Sequence, residues 1–407
     1  MRPLQKVWVA LSLLALLLGA GFMAWRQGVI RQPPIRIGVL HSLTGTMALN
    51  EKPLVDAVRL AVEEINAKGG LLGRQLEIVL VDGKSSADIA AVEAERLINQ
   101  EKVSVLFGCW TSACRKAVKP IVEKHQHLLI YPVQYEGMEL SPNILYTGAV
   151  PSQQIIPGTR WAMRKFGPRV YLVGSDYIFP HTANAIIQDL AQTAGGEVVA
   201  ERYLPLGSVD VMDVIEDIRR TKPDIVLNTI NGDSNAAFFA ALEKAGLAHI
   251  PLVSFSVEEL GMKAWGGARL SQHYAVWSYF QSLPGEENRR FIRAYQARFG
   301  ADRLLSDPIE ASYDGVRIWA QAVQSVGHSE PVYVNQTLRL QSINGPSGIM
   351  AVDSATRHVW KYLRLGKVLP NAQFEQVYAS DMPLRPEPWP EYRSRAAWQR
   401  LLEGGKP

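Results

Sequence analysis

The sequence is short of the groups on which metal proteins and nucleotide enzymes are built. Its 407 residues include two cysteines and eight histidines, and none of them cluster at metal-ligand spacing, so no metal is expected. No Gly-x-Gly-x-x-Gly follows a predicted strand and no phosphate-loop pattern is present, which argues against a dinucleotide enzyme and leaves no cofactor to expect. Net charge is missing from the body of the chain. Four of the 43 basic residues (Arg2, Lys6, Arg26 and Arg31) lie within the first 34 positions, which hold no acidic residue, so the remainder balances at 39 basic and 39 acidic residues. A neutral body removes the electrostatic case for nucleic acid. Internal repeats and low-complexity segments are absent.

A hydrophobic fraction of 47% with 20% charged residues fits a globular α/β protein. A length of 407 residues is more than one core usually serves, so two lobes are expected. One long apolar run, Val7–Trp25, is flanked by basic residues and carries a tryptophan at either end. It exceeds the usual core of a cleaved signal and reaches the length of a spanning helix, so residues 7–25 lean toward an inner-membrane anchor. Gly19-Ala20-Gly21 nonetheless offers small residues for a peptidase. Residues 1–34, closed by Pro33-Pro34, therefore form a signal peptide or anchor with its linker, and the chain is exported to the periplasm under either reading.

From Ile35 the pattern alternates strand and helix with short connections, as in parallel sheets covered by helices. Residues 35–150 form the first part of one lobe and 151–280 the first part of a second. Residues 281–381 return to complete both, and 382–407 read as an extended C-terminal strap. The most informative stretch is Phe107–Gly137. Val103–Phe107 reads as a buried strand, Gly108 as a sharp turn, and Thr111 or Ser112 as the cap of a helix running to about Lys124. Leu128–Tyr131 is the next strand, stopped by Pro132. Strand, helix and strand bring two strand C-termini to one rim, where open parallel sheets bind ligands. Trp110, Ser112, Tyr131, Gln134, Tyr135 and Glu136 are delivered there. Cys109 and Cys114, five apart, lie beside them. A disulfide between them demands specific geometry, and two partly buried free thiols are the expectation.

Several segments resemble the urea and short-chain amide branch of type I periplasmic binding proteins. They are Ile-Gly-Val-Leu-His-Ser-Leu-Thr-Gly-Thr-Met (37–47), Glu-Lys-Pro-Leu-Val-Asp-Ala (51–57), Phe-Gly-Cys-Trp-Thr-Ser (107–112) and Tyr-Pro-Val-Gln-Tyr-Glu-Gly (131–137). Gly-Ser-Asp-Tyr-Ile-Phe-Pro (174–180), Tyr-Leu-Pro-Leu-Gly (203–207) and Asn-Gly-Asp-Ser-Asn (231–235) continue the likeness, which spans roughly Ile35 to Trp389. It implies an α/β fold of two Rossmann-like lobes with hinge crossovers, following an N-terminal hydrophobic helix. It also implies closure on urea or a small amide and delivery to an ABC transporter permease. The lipid-attachment cysteine that many such proteins carry is absent.

A planar, neutral ligand of that kind needs acceptors for its N–H groups, donors for its oxygen and flat apolar walls. Ser112 at a helix start is the candidate donor, with Val133 and Gln134 beside it on the rim. Asp233 and Glu258, from turns of the second lobe, are candidate acceptors; their competing readings are a helix cap and a solvated first-turn residue. Trp110, Tyr131 and Tyr177 would form walls with Phe179 behind them, and Glu136 competes as a loop surface charge. The Trp110 indole favours a ligand of four or five heavy atoms. At roughly −1.5 kcal/mol per heavy atom, four atoms give about −6 kcal/mol, a Kd on the order of tens of micromolar. An amidase built on Cys109 and His41 lacks an orienting third group, so no catalytic residue is expected. A ligand-sensing subunit for a membrane signalling partner is the alternative to transport.

Overall fold

The computed structural model describes residues 11–19, 21, 32–266, 269–270 and 272–403. Residues 11–19 are helical (α1); the rest of the run expected to anchor the chain, apart from residue 21, lies outside the described residues. No helix among the described residues is long and apolar enough to cross a membrane.

The first lobe begins with β1 (Ile35–His41), α2 (Ala48–Ala67), β2 (Leu76–Asp82) and α3 (Ala87–Asn99). It continues with β3 (Leu106–Gly108), α4 (Ser112–Lys124), β4 (Leu129–Tyr131) and β5 (Ile144–Tyr146). The five strands form one sheet in the order β2-β1-β3-β4-β5, parallel throughout. Two elements depart from the sequence pattern. Helix α2 starts at Ala48 with a first turn that buries Asn50 and Glu51, polar residues that an apolar periodicity cannot reveal. Glu51 there accepts from His41 Nδ1 at 2.9 Å and from the Ser42 amide at 3.0 Å. Strand β5 is three residues long, too short to register as a run.

The second lobe is built from α5 (Ile155–Phe166), β6 (Arg169–Ser175), α6 (Ile178–Thr193), β7 (Glu197–Leu204) and α7 (Met212–Thr221). It continues through β8 (Ile225–Thr229), α8 (Ser234–Lys244), β9 (Leu252–Ser254), α9 (Glu259–Ala264) and β10 (His273–Trp277). The chain then returns: α10 (Glu286–Phe299), α11 (Asp307–Val326) and α12 (Pro331–Leu338) belong to the first lobe. Tyr295 of α10 donates to the Pro53 carbonyl at 3.1 Å, and Tyr313 of α11 donates to Glu64 at 2.5 Å, so both pack on α2. A hairpin of β11 (Ser342–Gly345) and β12 (Gly348–Ala351) precedes the last crossing. Strands β13 (Arg364–Val368) and β14 (Phe374–Ala379) then join the second sheet antiparallel, giving the order β14-β13-β10-β9-β8-β6-β7. The chain thus crosses between lobes before α5, after β10 and before β13. The strap lies over both lobes: the Pro388 carbonyl accepts from the Met138 amide at 2.7 Å, and Arg393 pairs with Asp189 of α6 at 2.6 Å. Its end is not extended as expected. Ser394 caps a further helix, α13 (Arg395–Leu402), accepting from the Ala397 amide at 3.2 Å, and Trp398 is buried beneath it.

Candidate functional site

The strand C-termini of the two sheets face each other, and the loops they carry meet. In the first lobe Gly108 closes β3 against β1, where a Cβ would stand 2.2 Å from the Leu40 carbonyl oxygen, so only glycine fits. Cys109 follows in the left-handed region (φ 65°). Thr111 then caps α4, its hydroxyl accepting from the Cys114 amide at 3.2 Å, as the sequence suggested. The expectation of free thiols fails here. The turn and the first helical residues bring the two Cα atoms to 5.6 Å, and Cys109 is disulfide-bonded to Cys114. That Cα separation lies within the bridging range, which sequence spacing alone does not report. The bridge closes the loop that carries Trp110, and it leaves no thiol for an amidase.

Trp110 is buried, and its indole Nε1–H donates to Asn231 Oδ1 of the second lobe at 3.1 Å. Tyr131, at the end of β4, donates its hydroxyl to the Trp110 carbonyl at 2.6 Å, so the two aromatic residues brace one another. Behind them Arg115 is completely buried. Its guanidinium donates to Glu136 at 2.8 Å, to Glu139 at 2.9 Å and to the Ser112 hydroxyl at 3.0 Å, and it lies over the Tyr135 ring at 4.2 Å. Burial opposes the Arg115 charge, but Glu139 and then Glu136 outweigh it and hold the group protonated well above its usual range. Ser112 in turn donates to Glu136. The Ser112 hydroxyl expected to face the ligand is therefore engaged, and Glu136 is a buried ion-pair partner instead of a loop surface charge.

In the second lobe Tyr177 precedes α6. Its side chain is half-buried. Burial, then the fields of Tyr131 and Glu136, push the Tyr177 hydroxyl well above its ordinary range, which places it within electrostatic reach of the first-lobe wall. Phe179 is buried behind it, with ring centroids 6.4 Å apart. Asn231 is buried, and its amide group donates to the Thr229 carbonyl at 3.2 Å and to the Ser256 hydroxyl at 3.3 Å. Gly232 has φ 66°, and the first-lobe loop seats on it: a Cβ would stand 3.0 Å from Thr46 Oγ1 and 3.2 Å from Met47 Sδ.

The remaining sequence candidates divide. Gln134 bridges the lobes, its Nε2 donating to the Phe255 carbonyl at 2.9 Å and to Ser256 at 3.2 Å. Val133 is buried in the main hydrophobic cluster. Asp233 is exposed and occupies the cap position of α8 without a side-chain cap bond, so its carboxylate does not enter the enclosed contact. Glu258 caps α9, accepting from the Leu260 and Gly261 amides at 2.6 and 3.1 Å, and receives Asn50 Nδ2 of the first lobe at 2.6 Å. It is a buried inter-lobe partner, the cap reading and the site reading at once. Burial raises its carboxyl against the pull of those three bonds. The lobes are thus shut through Trp110–Asn231, Gln134–Ser256 and Asn50–Glu258. Asn50, Asn231, Ser256, Arg115 and Glu139 were not singled out in the sequence. Asn231 and Ser256 had a signal, since each lies in a polar turn after a strand.

Three polar atoms near this contact are buried without partners: Thr46 Oγ1, Asn50 Oδ1 and Gln134 Oε1. These groups are uncharged, and among the described residues no group of His, Cys, Asp and Glu side chains suits a metal ion. The arrangement offers a hydroxyl donor, amide acceptors and aromatic faces.

Residues 35–395 match the family model described as periplasmic binding protein domain. The curated relatives include Leu/Ile/Val-binding protein homolog 6 of Brucella melitensis biotype 1, 24% identical over 352 residues that cover 82% of this chain and 87% of that protein. Among solved structures, a solute-binding protein of an ABC transporter from R. palustris in complex with 4-hydroxybenzoate gives a TM-score of 0.79 at 22% identity, covering 87% of this chain and 98% of the other. LivJ of Streptococcus pneumoniae, a branched-chain amino acid transporter substrate-binding protein in complex with isoleucine, gives 0.74 at 22% identity, with coverage of 87% and 100%. These likenesses give the same two-lobe fold. The chain belongs to the periplasmic binding protein family, as a binding protein and not an enzyme.

Proposed function

We propose that the protein captures urea or a short-chain aliphatic amide between its lobes and hands it to the permease of an ABC importer. One observation carries the reading. The buried polar atoms without partners near the lobe contact, Thr46 Oγ1, Asn50 Oδ1 and Gln134 Oε1, are all neutral. Buried polar groups left without partners are costly, and a ligand holding both N–H donors and a carbonyl acceptor satisfies them together. Gln134 Oε1 accepts from the ligand nitrogen, and the Tyr177 hydroxyl donates to its oxygen. The Trp110 and Tyr131 rings cover its flat faces.

The neighbours of known ligand, bound to 4-hydroxybenzoate and isoleucine, hold molecules that carry a carboxylate. Among the described residues the walls supply no free cation to meet one: Arg115 is held by Glu136 and Glu139. A thermal-shift panel of urea, formamide, acetamide, isoleucine and 4-hydroxybenzoate tests the assignment. Urea or an amide is expected to raise the melting temperature. A shift confined to isoleucine or 4-hydroxybenzoate would remove the neutral-ligand reading.

A further inference from the structure

The neutral-amide reading leaves one group unexplained: a guanidinium sealed directly behind the aromatic wall. Arg115 is on the first turn of α4, three residues after Ser112, and lies 5.0 Å from the centroid of the Tyr131 ring. A buried arginine beside a hydroxyl at a helix start is a ready counter-ion for a carboxylate ligand. Here both are already taken. Glu136 receives Arg115 and the Ser112 hydroxyl on its two oxygens, and Glu139 receives the Arg115 Nε at 2.9 Å. Lys116, the other cation of the cluster, stands 3.9 Å from Glu136 and 3.7 Å from Glu139. Two cations face two carboxylates, and the cluster has no charge to spare. Tyr146 adds a donor to Glu139 at 2.8 Å, which pins the outer carboxylate in place.

We infer that Glu136 sets the charge class of the ligand: it occupies as a built-in carboxylate the anion position formed by Arg115 and Ser112, and so excludes small carboxylates from the cleft. The inference rests on the neutral-amide reading and names the residue that enforces it. A carboxylate entering beside Glu136 would meet a like charge, with Arg115 and the Ser112 hydroxyl already engaged, in a setting where desolvation is costly. Glu136 acts through Arg115 and is a positioning residue. Its removal should change which ligands bind, an effect that a merely structural role would not produce.

The matched pair acetamide and acetate, nearly identical in shape and different in charge, isolates the effect in titration calorimetry. The wild-type chain is expected to bind acetamide at least 100-fold more tightly than acetate. In Glu136→Gln, Arg115 keeps Glu139 and loses its inner partner, and acetate should gain at least tenfold relative to acetamide. A folded Glu136→Gln protein with an unchanged acetate-to-acetamide ratio overturns the inference and leaves the amide reading standing. Should that variant not fold, Glu136→Asp, too short to span Ser112 and Arg115 together, replaces it under the same criterion. The wild-type arm decides independently: acetate binding within threefold of acetamide overturns the inference whatever the variants do. If the wild type binds neither urea nor any amide, the amide reading falls, and an acetate gain in Glu136→Gln supports the inference alone.

Discussion

The indole N–H of Trp110 donates to Asn231 Oδ1 across the cleft at 3.1 Å, so the residue proposed as a ligand wall is also a fastening between the lobes. Asn231 is pre-set for this by Ser256 and the Thr229 carbonyl, which hold its other amide atom. Losing such a buried bond costs about 1–2 kcal/mol, and a two-state closure shifts by that amount. Asn231→Ala is therefore expected to weaken ligand binding about 5- to 30-fold and to raise the radius of gyration of the ligand-free protein in X-ray scattering. An unchanged scattering profile and affinity would show that the bond contributes nothing to closure.

We also propose that Trp110 limits ligand size. Trp110→Ala removes a large flat wall braced by Tyr131 and opens space beside the neutral polar groups. Urea should bind at least tenfold more weakly, while propionamide or butyramide gains relative to it. Titration calorimetry on the two ligand sizes checks this, and an unaltered order of preference counts against the role given to the indole.

The disulfide between Cys109 and Cys114 closes a short loop around Trp110. Chain-entropy arguments give about 2 kcal/mol for a loop of this length. Paired Cys109→Ser and Cys114→Ser substitutions should lower the unfolding free energy by about that much and weaken ligand binding as Trp110 loses its fixed frame. Denaturant titration with and without reductant reads the first effect. Identical midpoints for oxidised wild type and the double variant would refute it.

His358 joins the site segment to the last inter-lobe crossing. Its Nδ1–H donates to the Thr356 carbonyl at 2.8 Å, leaving Nε2 to accept from the Tyr135 hydroxyl at 2.5 Å. Burial pushes His358 down to about 3, and burial alone does the same to His273. Above about pH 6.5 both rings are neutral, folded or unfolded, and the full stability is present. Below that, the unfolded chain takes up protons that the native state refuses, and stability falls as pH drops toward 3. The loss is at most about 1.4 kcal/mol per pH unit for each ring. His358→Gln should flatten the slope between pH 6 and 4 in urea titrations, and a slope equal to that of wild type would contradict the assignment.

Much of this was legible in the residues. Val103–Phe107, Gly108 and Thr111 announce strand, turn and cap because each signal is local, and the structure follows them through α4. Trp110, Tyr131, Gln134 and Tyr177 come to the cleft because strand C-termini of parallel sheets share a rim. The ion cluster was not legible: Arg115, Glu136 and Glu139 carry the charges that usually mark solvated faces, and only the fold buries them together. Asn50 was hidden for a similar reason, since it lies in a first helical turn whose buried face is polar. Asp233 and Glu258 occupy equivalent turns, yet one is exposed and the other enclosed. That difference depends on how the lobes meet, which no local pattern encodes.

The central claim is that the cleft takes a small uncharged molecule bearing both N–H donors and a carbonyl. Equilibrium titration of the purified protein with urea, in competition with isoleucine and 4-hydroxybenzoate, tests it most directly. Saturable urea or amide binding with a Kd on the order of tens of micromolar or tighter, undisturbed by millimolar isoleucine or 4-hydroxybenzoate, is the predicted result. Tight binding of either carboxylate with no response to urea, formamide or acetamide would contradict the account.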